Sequence, residues 1–168
     1  MRTKIKRLAM MAIVLSITAC GQKAGEDGPE TAATSLLTAA TLGEQTVLTS
    51  AEYLAAEPYA TADLTKGENL AQVCRACHSL EKDGPNTIGP ALFGFFGSKV
   101  GSRSGFEYSP VLANADFVWT PRALDAWLTQ PGRFLPGNRM TFAGVFQRSD
   151  RESLIAYLLE STTAKGGQ

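Results

Sequence analysis

Two cysteines and a histidine stand close together in the stretch VCRACHSL, residues 73–80. Cys74 and Cys77 are three positions apart, and His78 follows the second cysteine directly. Residues of these types can form a disulfide, bind zinc, act as a thiol redox pair or attach a haem. His78 is the only histidine among 168 residues, and the third cysteine, Cys20, lies 54 positions before Cys74. A metal at this site must therefore find ligands of another kind elsewhere in the chain.

The four interpretations of the motif differ in what they require from the rest of the chain. A structural zinc site takes four ligands, commonly cysteine and histidine, whereas this motif offers three. A disulfide stays possible in an exported protein. A thioredoxin-like pair opens a helix that follows a strand, and that context is absent from the pattern here. Haem attachment needs two thiols and an adjacent histidine, which the order C-x-x-C-H supplies.

Helical patterns flank and follow the motif. The three segments are GENLAQVCRACH (67–78), PRALDAWLTQP (121–131) and SDRESLIAYLLES (149–161). The first ends at the cysteine and histidine residues. Thr120 and Pro121 have the types expected at a helix start, and Ser149 and Glu152 have the spacing of a capping box. Gly- and Pro-rich loops without strand alternation separate these segments, so we expect an all-α domain over 61–168 that packs on a large apolar cofactor.

The N-terminus has the composition of an export signal. The basic stretch MRTKIKR precedes ten apolar residues, LAMMAIVLSI, which is too short for the roughly 20 residues that cross a membrane as a helix. The run leads into ITACG, which resembles a bacterial lipoprotein box. That resemblance implies a signal peptide over 1–19, cleavage before Cys20 and lipidation of its sulfur. The alternative is an ordinary secretory signal with Cys20 incidental. Either reading predicts export, and the first predicts a membrane-anchored periplasmic protein.

Residues 20–60 follow the lipidated cysteine and are rich in Ala, Thr, Gly and Glu. This composition predicts a flexible tether. Within it, Thr49 and Glu52 have capping-box spacing, so a short helix is expected over 49–57, ended by Pro58. The whole chain balances 16 basic against 16 acidic residues, and nothing in it indicates a nucleic-acid binder.

Several motifs after residue 66 occur in a characteristic order. They are IGPALFGFFGSKVGSRSGFEYSPVL, FVWT, PGNRMTFAG and DRESLIAYL. With the C-x-x-C-H motif, they resemble the class I cytochromes c of the mitochondrial type and its α-proteobacterial relatives. The 62 positions from His78 to Met140 match the spacing of that family's axial ligands. The resemblance implies the class I cytochrome c fold around one covalent haem c.

The resemblance also assigns roles to individual residues. It implies that Cys74 and Cys77 form the thioether bonds and that His78 and Met140 are the two axial iron ligands. The carbonyl of Pro90 would accept a hydrogen bond from the histidine ring. Tyr108 and Trp119 would donate hydrogen bonds to a haem propionate. Methionine and histidine ligation fills both axial positions and raises the reduction potential. An electron carrier is therefore expected, and not an enzyme.

Three departures from the family pattern concern the haem surroundings. Ser98 stands where an arginine is frequent, and Leu112 stands where a buried asparagine is frequent. Less positive charge near the propionate should lower the reduction potential. Trp127 replaces a tyrosine, which leaves open whether Met140 sulfur accepts a hydrogen bond.

The resemblance also bears on partners, because soluble relatives dock through a ring of lysines around the haem edge. Here the corresponding positions hold Val73, Thr87, Gly132, Phe146 and Gln147, with Arg133 and Arg139 retained. A tether can replace charge steering, since it raises effective concentration. The expected function is a monomeric, membrane-anchored shuttle from a cytochrome bc-type complex to a terminal oxidase or reaction centre. Alternatives are a dedicated partner of a periplasmic dehydrogenase or peroxidase, and a haem-based ligand sensor.

Overall fold

The computed structural model describes residues 37–163 as helices joined by long loops. The elements are a 3-10 helix at Ala39–Thr41 and the helices α1 (Ser50–Leu54), α2 (Leu64–Arg75), α3 (Pro110–Ala113), α4 (Pro121–Thr129), α5 (Pro131–Phe134) and α6 (Arg148–Ser161). In this range there is no β-strand beyond one isolated bridge between Lys99 and Val118. No helix of this range has both the length and the apolar character to span a membrane. The predicted all-α fold is confirmed.

The observed helix starts agree with the sequence patterns at one of three positions. Helix α4 begins at Pro121, and the Thr120 side chain caps it by accepting a hydrogen bond from the Ala123 amide. Helix α2 covers only part of the predicted segment, because it begins three residues earlier, after Asp63, and ends at Arg75, so Cys77 and His78 lie beyond its end.

The predicted capping box of Ser149 and Glu152 is wrong. Helix α6 already begins at Arg148, so Ser149 lies inside its first turn, and Gln147 precedes the helix without a side-chain cap. Glu152 instead accepts a hydrogen bond at 2.7 Å from Arg148 one turn earlier.

Helices α2 and α6 form the closest helix pair. A Cβ at Gly67 would lie 2.1 Å from the Ser153 carbonyl oxygen, so only glycine allows this approach. Lys66 pairs with Asp150 at 2.5 Å beside the crossing. Ala71 of α2 is fully buried in the core. This pair holds the end of α2, and hence the first cysteine, in a fixed position.

Residues 37–60, which we call the N-terminal clamp, pack onto the same core. Leu42 is 1% exposed, and Arg122 at the start of α4 donates a hydrogen bond to its carbonyl. The predicted flexible tether over 20–60 is therefore wrong for the clamp, because burial of Leu42 and side-chain bonds to the domain fix it. Residues 20–36 lie outside the described residues.

The predicted short helix in the clamp is confirmed at its start, but it ends at Leu54 and not at Pro58. Helix α1 spans Ser50–Leu54, and the Thr49 hydroxyl accepts from the Glu52 amide while the Glu52 carboxylate accepts from the Thr49 amide. The helix also contacts the segment that follows α6, because the Ser50 and Thr163 hydroxyls lie 2.7 Å apart. The compact domain therefore includes residues 37–60 and does not begin at residue 61.

Candidate cofactor pocket

A cavity of about 960 Å³ lies between the loops, at the upper end of the range of about 300–1,000 Å³ found for small-molecule sites. The residues that the sequence assigned to the haem and that line this cavity are Cys74, Cys77, His78, Pro90, Tyr108, Trp119 and Met140. The three departures, Ser98, Leu112 and Trp127, line it too. The structure thus brings all the predicted pocket residues together, while Cys20 lies outside the described residues.

The cysteine motif forms a tight turn at the end of α2. The amides of Cys77 and His78 both donate to the Cys74 carbonyl, at 3.0 and 2.9 Å. Cys74 and Cys77 are free thiols, and no disulfide joins them. Burial raises the pKa of the Cys74 thiol, which opposes the thiolate form that a thiol redox pair requires. The turn presents both sulfurs and the imidazole to one cavity.

The His78 ring is held in one orientation and one tautomer. Its Nδ1 lies 2.7 Å from the Pro90 carbonyl oxygen, and because a carbonyl can only accept, Nδ1 carries the proton. Burial lowers the pKa of His78 more than this hydrogen bond raises it, so the ring is neutral. Nε2 is then unprotonated and can bind a metal, as such an oriented imidazole does in metal sites.

The loop behind the ring is fitted to it. The Gly89 amide donates to the Cys77 carbonyl at 2.7 Å, which places Pro90 beside the imidazole. A Cβ at Gly89 would lie 2.3 Å from Cε1 of His78. A glycine is therefore required here by a close approach to the ring.

The loop that carries Met140 is tied to two helices. Arg151 of α6 is 8% exposed, and its guanidinium binds the Asp125 carboxylate at 2.7 Å and the carbonyls of Val145 and Phe146 at 2.9 Å. The Val145 amide donates to α4. These bonds fix the end of the loop and keep the half-buried Met140 on the cavity wall. Sequence reasoning missed Arg151, because an arginine in a first helical turn usually faces solvent.

Aromatic rings give the cavity an apolar wall, which Trp119 and Trp127 line. Trp119 and Trp127 meet edge to face with centroids 5.6 Å apart, and Phe117 and Phe134 extend the same cluster at 5.1 to 6.0 Å. Trp127 is 5% exposed. Such packing gives a rigid apolar surface suited to a flat aromatic macrocycle.

The wall also has a polar part. Burial raises the pKa of Tyr108, so its hydroxyl stays a hydrogen-bond donor. Ser109 is 2% exposed, and its hydroxyl oxygen is buried without a hydrogen-bond partner among the described residues. A buried unpaired hydroxyl is costly, which indicates a polar partner from a bound group. Its position next to Tyr108 is the one sequence signal that points to Ser109.

The residues of the cavity fit a haem attached through thioether bonds. Two thiols on one turn, a neutral imidazole with a free Nε2, a thioether on the loop and an aromatic wall form the complementary set for a covalent haem of the c type. This set defines a c-type haem protein.

Comparisons with known proteins agree with this class. Over 104 residues the chain is 42% identical to cytochrome c of Gibberella zeae, covering 61% of this chain and 98% of that protein. Over 109 residues it is 35% identical to cytochrome c2 of Agrobacterium tumefaciens, covering 63% of this chain and 98% of that protein. A cytochrome c homolog of Bradyrhizobium diazoefficiens is 41% identical over 99 residues, 58% of this chain, and the match spans about half (54%) of that relative. No protein-family model matches the chain.

The chain therefore belongs to the class I cytochrome c family. Its cofactor is one covalently bound haem c. The protein is an electron carrier that exchanges electrons with redox partners, and it is not an enzyme.

Proposed function

We propose that the protein is a membrane-anchored, monomeric shuttle that takes single electrons from a cytochrome bc-type complex and passes them to a terminal oxidase or reaction centre. The observation that carries the proposal is the His78 ring, whose Nδ1–H donates to the Pro90 carbonyl and whose Nε2 is therefore free to bind iron. Met140 lines the same cavity. With both residues as ligands, no iron position is left for a substrate, which favours electron transfer over ligand sensing.

Each pocket residue has a role in this proposal. Cys74 and Cys77 attach the haem, and His78 and Met140 bind its iron. The bound haem supplies a one-electron couple, and the methionine ligand raises its reduction potential. The carbonyl of Pro90 fixes the imidazole and increases its basicity.

Tyr108 and Trp119 donate hydrogen bonds to a haem propionate in the same proposal. Tyr108 supports this role because its pKa is raised by burial, which keeps the donor proton in place. The aromatic wall around Trp119 excludes water, so little solvent has to reorganise when the iron changes charge.

The cavity opens to solvent on the side of the cysteine motif. Val73 is 54% exposed and Ile88 is 78% exposed, and both line the cavity. Phe146, at another of the lost lysine positions, is 71% exposed. A partner would meet an apolar and weakly charged rim here, so we infer that proximity to a membrane replaces charge steering.

Haem attachment is tested on the protein expressed with a cytochrome c maturation system. One haem should survive acid-acetone extraction, whereas a freely extracted haem would refute covalent attachment. Met140→Ala should abolish the weak sulfur-to-iron absorption band of the ferric protein, and the neighbouring Thr141→Ala should keep it. A band that persists in Met140→Ala would remove Met140 as a ligand.

The membrane anchor rests on ITACG and on Cys20 as the odd cysteine. Metabolic labelling with palmitate should mark the wild type, and Cys20→Ser should lose the label and stay unprocessed. Cys74→Ser serves as the matched control, because it removes a thiol of the haem site and should keep the label. An unlabelled wild type would leave a conventional secreted cytochrome.

Docking without charge steering is tested by electron transfer to a purified oxidase. A form that begins at Leu37 should react slowly, with a shallow dependence on ionic strength. Charge-steered pairs instead reach about 10⁸ to 10⁹ M⁻¹s⁻¹ at low salt and slow steeply as salt rises. Val73→Lys should restore salt sensitivity. Val47→Lys, at an exposed clamp position away from the cavity, is the control. A fast, steeply salt-dependent wild type would refute the proposal.

A further inference from the structure

Among the described residues, three cationic side chains line the cavity, and two of them pair with a carboxylate. Lys99 pairs with Asp116 at 3.3 Å, and Arg139 pairs with Glu107 at 3.6 Å. Arg103 has no ion pair with a carboxylate within residues 37–163. A half-buried guanidinium can accept an anion as a further partner, and the described residues supply none.

The contacts of Arg103 hold its charge at the cavity wall. Its Nη2 donates a hydrogen bond to the Phe93 carbonyl, which orients the guanidinium. Its charge and its backbone both favour the ionised form of Tyr108, against the larger effect of burial, so the two residues are near neighbours. Ser109 follows Tyr108, lines the same cavity and has a buried hydroxyl without a partner. A cation, a phenol and an unpaired hydroxyl therefore surround one part of the wall.

This arrangement is what a carboxylate in the cavity would need. The serine at position 98 cannot supply charge, and its hydroxyl already donates to the Phe95 carbonyl at 2.6 Å. We propose that Arg103 provides the positive charge that neutralises a propionate of the bound haem, in place of an arginine at position 98. The inference rests on the haem c of the proposed function. It differs from the expectation that the lack of an arginine at position 98 leaves less positive charge near the propionate.

A positive charge at this point favours the ferrous state, because reduction adds one electron to the iron. In a partly buried site the effective dielectric constant is near 20, far below that of water, so removing one charge should lower the equilibrium constant for reduction about three- to tenfold.

The test measures the ferrous-to-ferric ratio of the holoprotein against a fixed redox couple. Arg103→Gln removes the charge but keeps an amide donor for Phe93, and should lower the ratio about three- to tenfold. Arg148→Gln makes the same formal change at an exposed position of α6 outside the cavity wall, and should leave the ratio within about twofold of the wild type. Equal ratios for the two variants would overturn the proposal.

Two further measurements do not depend on the folding of Arg103→Gln. Arg103→Lys keeps the charge and should retain most of the wild-type ratio; a loss as large as that in the glutamine variant would exclude charge as the cause. In the wild type with labelled arginine, proton NMR should show contacts between the Arg103 guanidinium and the propionate methylenes, and their absence would overturn the proposal. A protein without covalent haem would instead refute the proposed function itself.

Discussion

The cysteine–histidine turn and the N-terminal clamp are both fixed parts of the same domain, yet they are held in different ways. The turn at residues 74–78 depends on side chains with specific chemistry: two thiols and an imidazole whose proton is placed by a carbonyl. The clamp at residues 37–60 depends on one buried leucine and on side chains that bond to backbone groups of other loops. Residue types in the sequence predict cofactor chemistry, but they do not predict packing that depends on bonds to backbone groups.

The clamp also supports the pocket without touching it. None of its described residues lines the cavity. The Gln45 amide bonds both backbone groups of Val118, and the next residue, Trp119, donates its own amide to the Ser98 carbonyl. The clamp therefore stabilises the loop that carries Trp119, so the two regions are coupled through that loop.

Among the changes that distinguish the turn from the clamp, removal of the clamp should lower the free energy of unfolding most. Loss of one buried leucine alone costs about 2–5 kcal/mol, and a form that begins at Thr61 also loses the bonds of Gln45 and Arg122. We expect the free energy of unfolding, measured in guanidinium chloride, to fall by more than Leu42→Ala lowers it. A form that begins at Leu37 is the control and should match the full chain. Equal stability of the forms from Leu37 and Thr61 would show that the clamp contributes nothing.

The fold could be predicted where local patterns decide it. Thr120 before Pro121 and the capping box of Thr49 and Glu52 mark helix starts by interactions within one turn. Leu42 could not be predicted as core, because a single leucine in an Ala- and Thr-rich stretch has no periodicity. The predicted helix start at Ser149 was wrong for a related reason. Helix α6 begins one residue earlier, and Gln147 before it has no side-chain cap that the sequence could have indicated.

Gly89→Ala should have the next largest effect and acts on the turn. The new Cβ would meet the His78 ring at 2.3 Å, so the ring or the Pro90 loop must move. Overpacking of this kind costs about 1–3 kcal/mol. Gly132→Ala is the matched control, because its Cβ would meet nothing within 4 Å. Chemical unfolding of the two holoproteins measures the difference, and a Gly89→Ala protein as stable as the control would contradict the fitted packing.

In the pocket, too, the sequence predicts some residues and not others. Its motif residues could be placed from their types and order, because each performs chemistry that few residues can perform. The sequence could not predict the importance of Arg103, Ser109 or Arg151, because it depends on spatial contacts. Among the described residues Arg103 lacks a counter-ion and Ser109 lacks a hydroxyl partner, while Arg151 reaches the carbonyls of a distant loop.

Gln45→Ala should have a smaller effect and isolates the polar part of the clamp. Three hydrogen bonds of 2.8 to 2.9 Å join Gln45 to Val118 and Thr120. Their loss leaves the partly buried backbone groups of Val118 to water or unpaired, which costs about 1–3 kcal/mol. Gln72→Ala, on an exposed face of α2 with one weak bond at 3.4 Å, should change the unfolding free energy far less. Equal losses would mean that Gln45 is bonded no better than a surface residue.

The smallest expected effect concerns Tyr59 at the end of the clamp, and it is confined to alkaline pH. Burial, and then the negative charges of Asp125 and Glu152, raise the pKa of Tyr59 to about 12. An unfolded tyrosine has a pKa of about 10. The folded protein therefore holds the phenol proton more tightly, and this stabilisation is complete below about pH 10 and is lost as pH rises through about 12.

Tyr59→Phe removes that titration without removing the ring. The unfolding free energy of the wild type should therefore fall more steeply than that of the variant between about pH 10 and about pH 12, and the two slopes should agree below about pH 9. Denaturant titrations of both proteins over this range measure the difference. Parallel curves throughout would mean that Tyr59 ionises as readily in the folded chain as in the unfolded one, and the clamp would then be looser at its end than at Leu42. A steeper wild-type curve would instead show that the clamp is packed from Leu42 to Tyr59. Only a close contact with α4 and α6 brings the phenol near enough for the charges of Asp125 and Glu152 to raise its pKa.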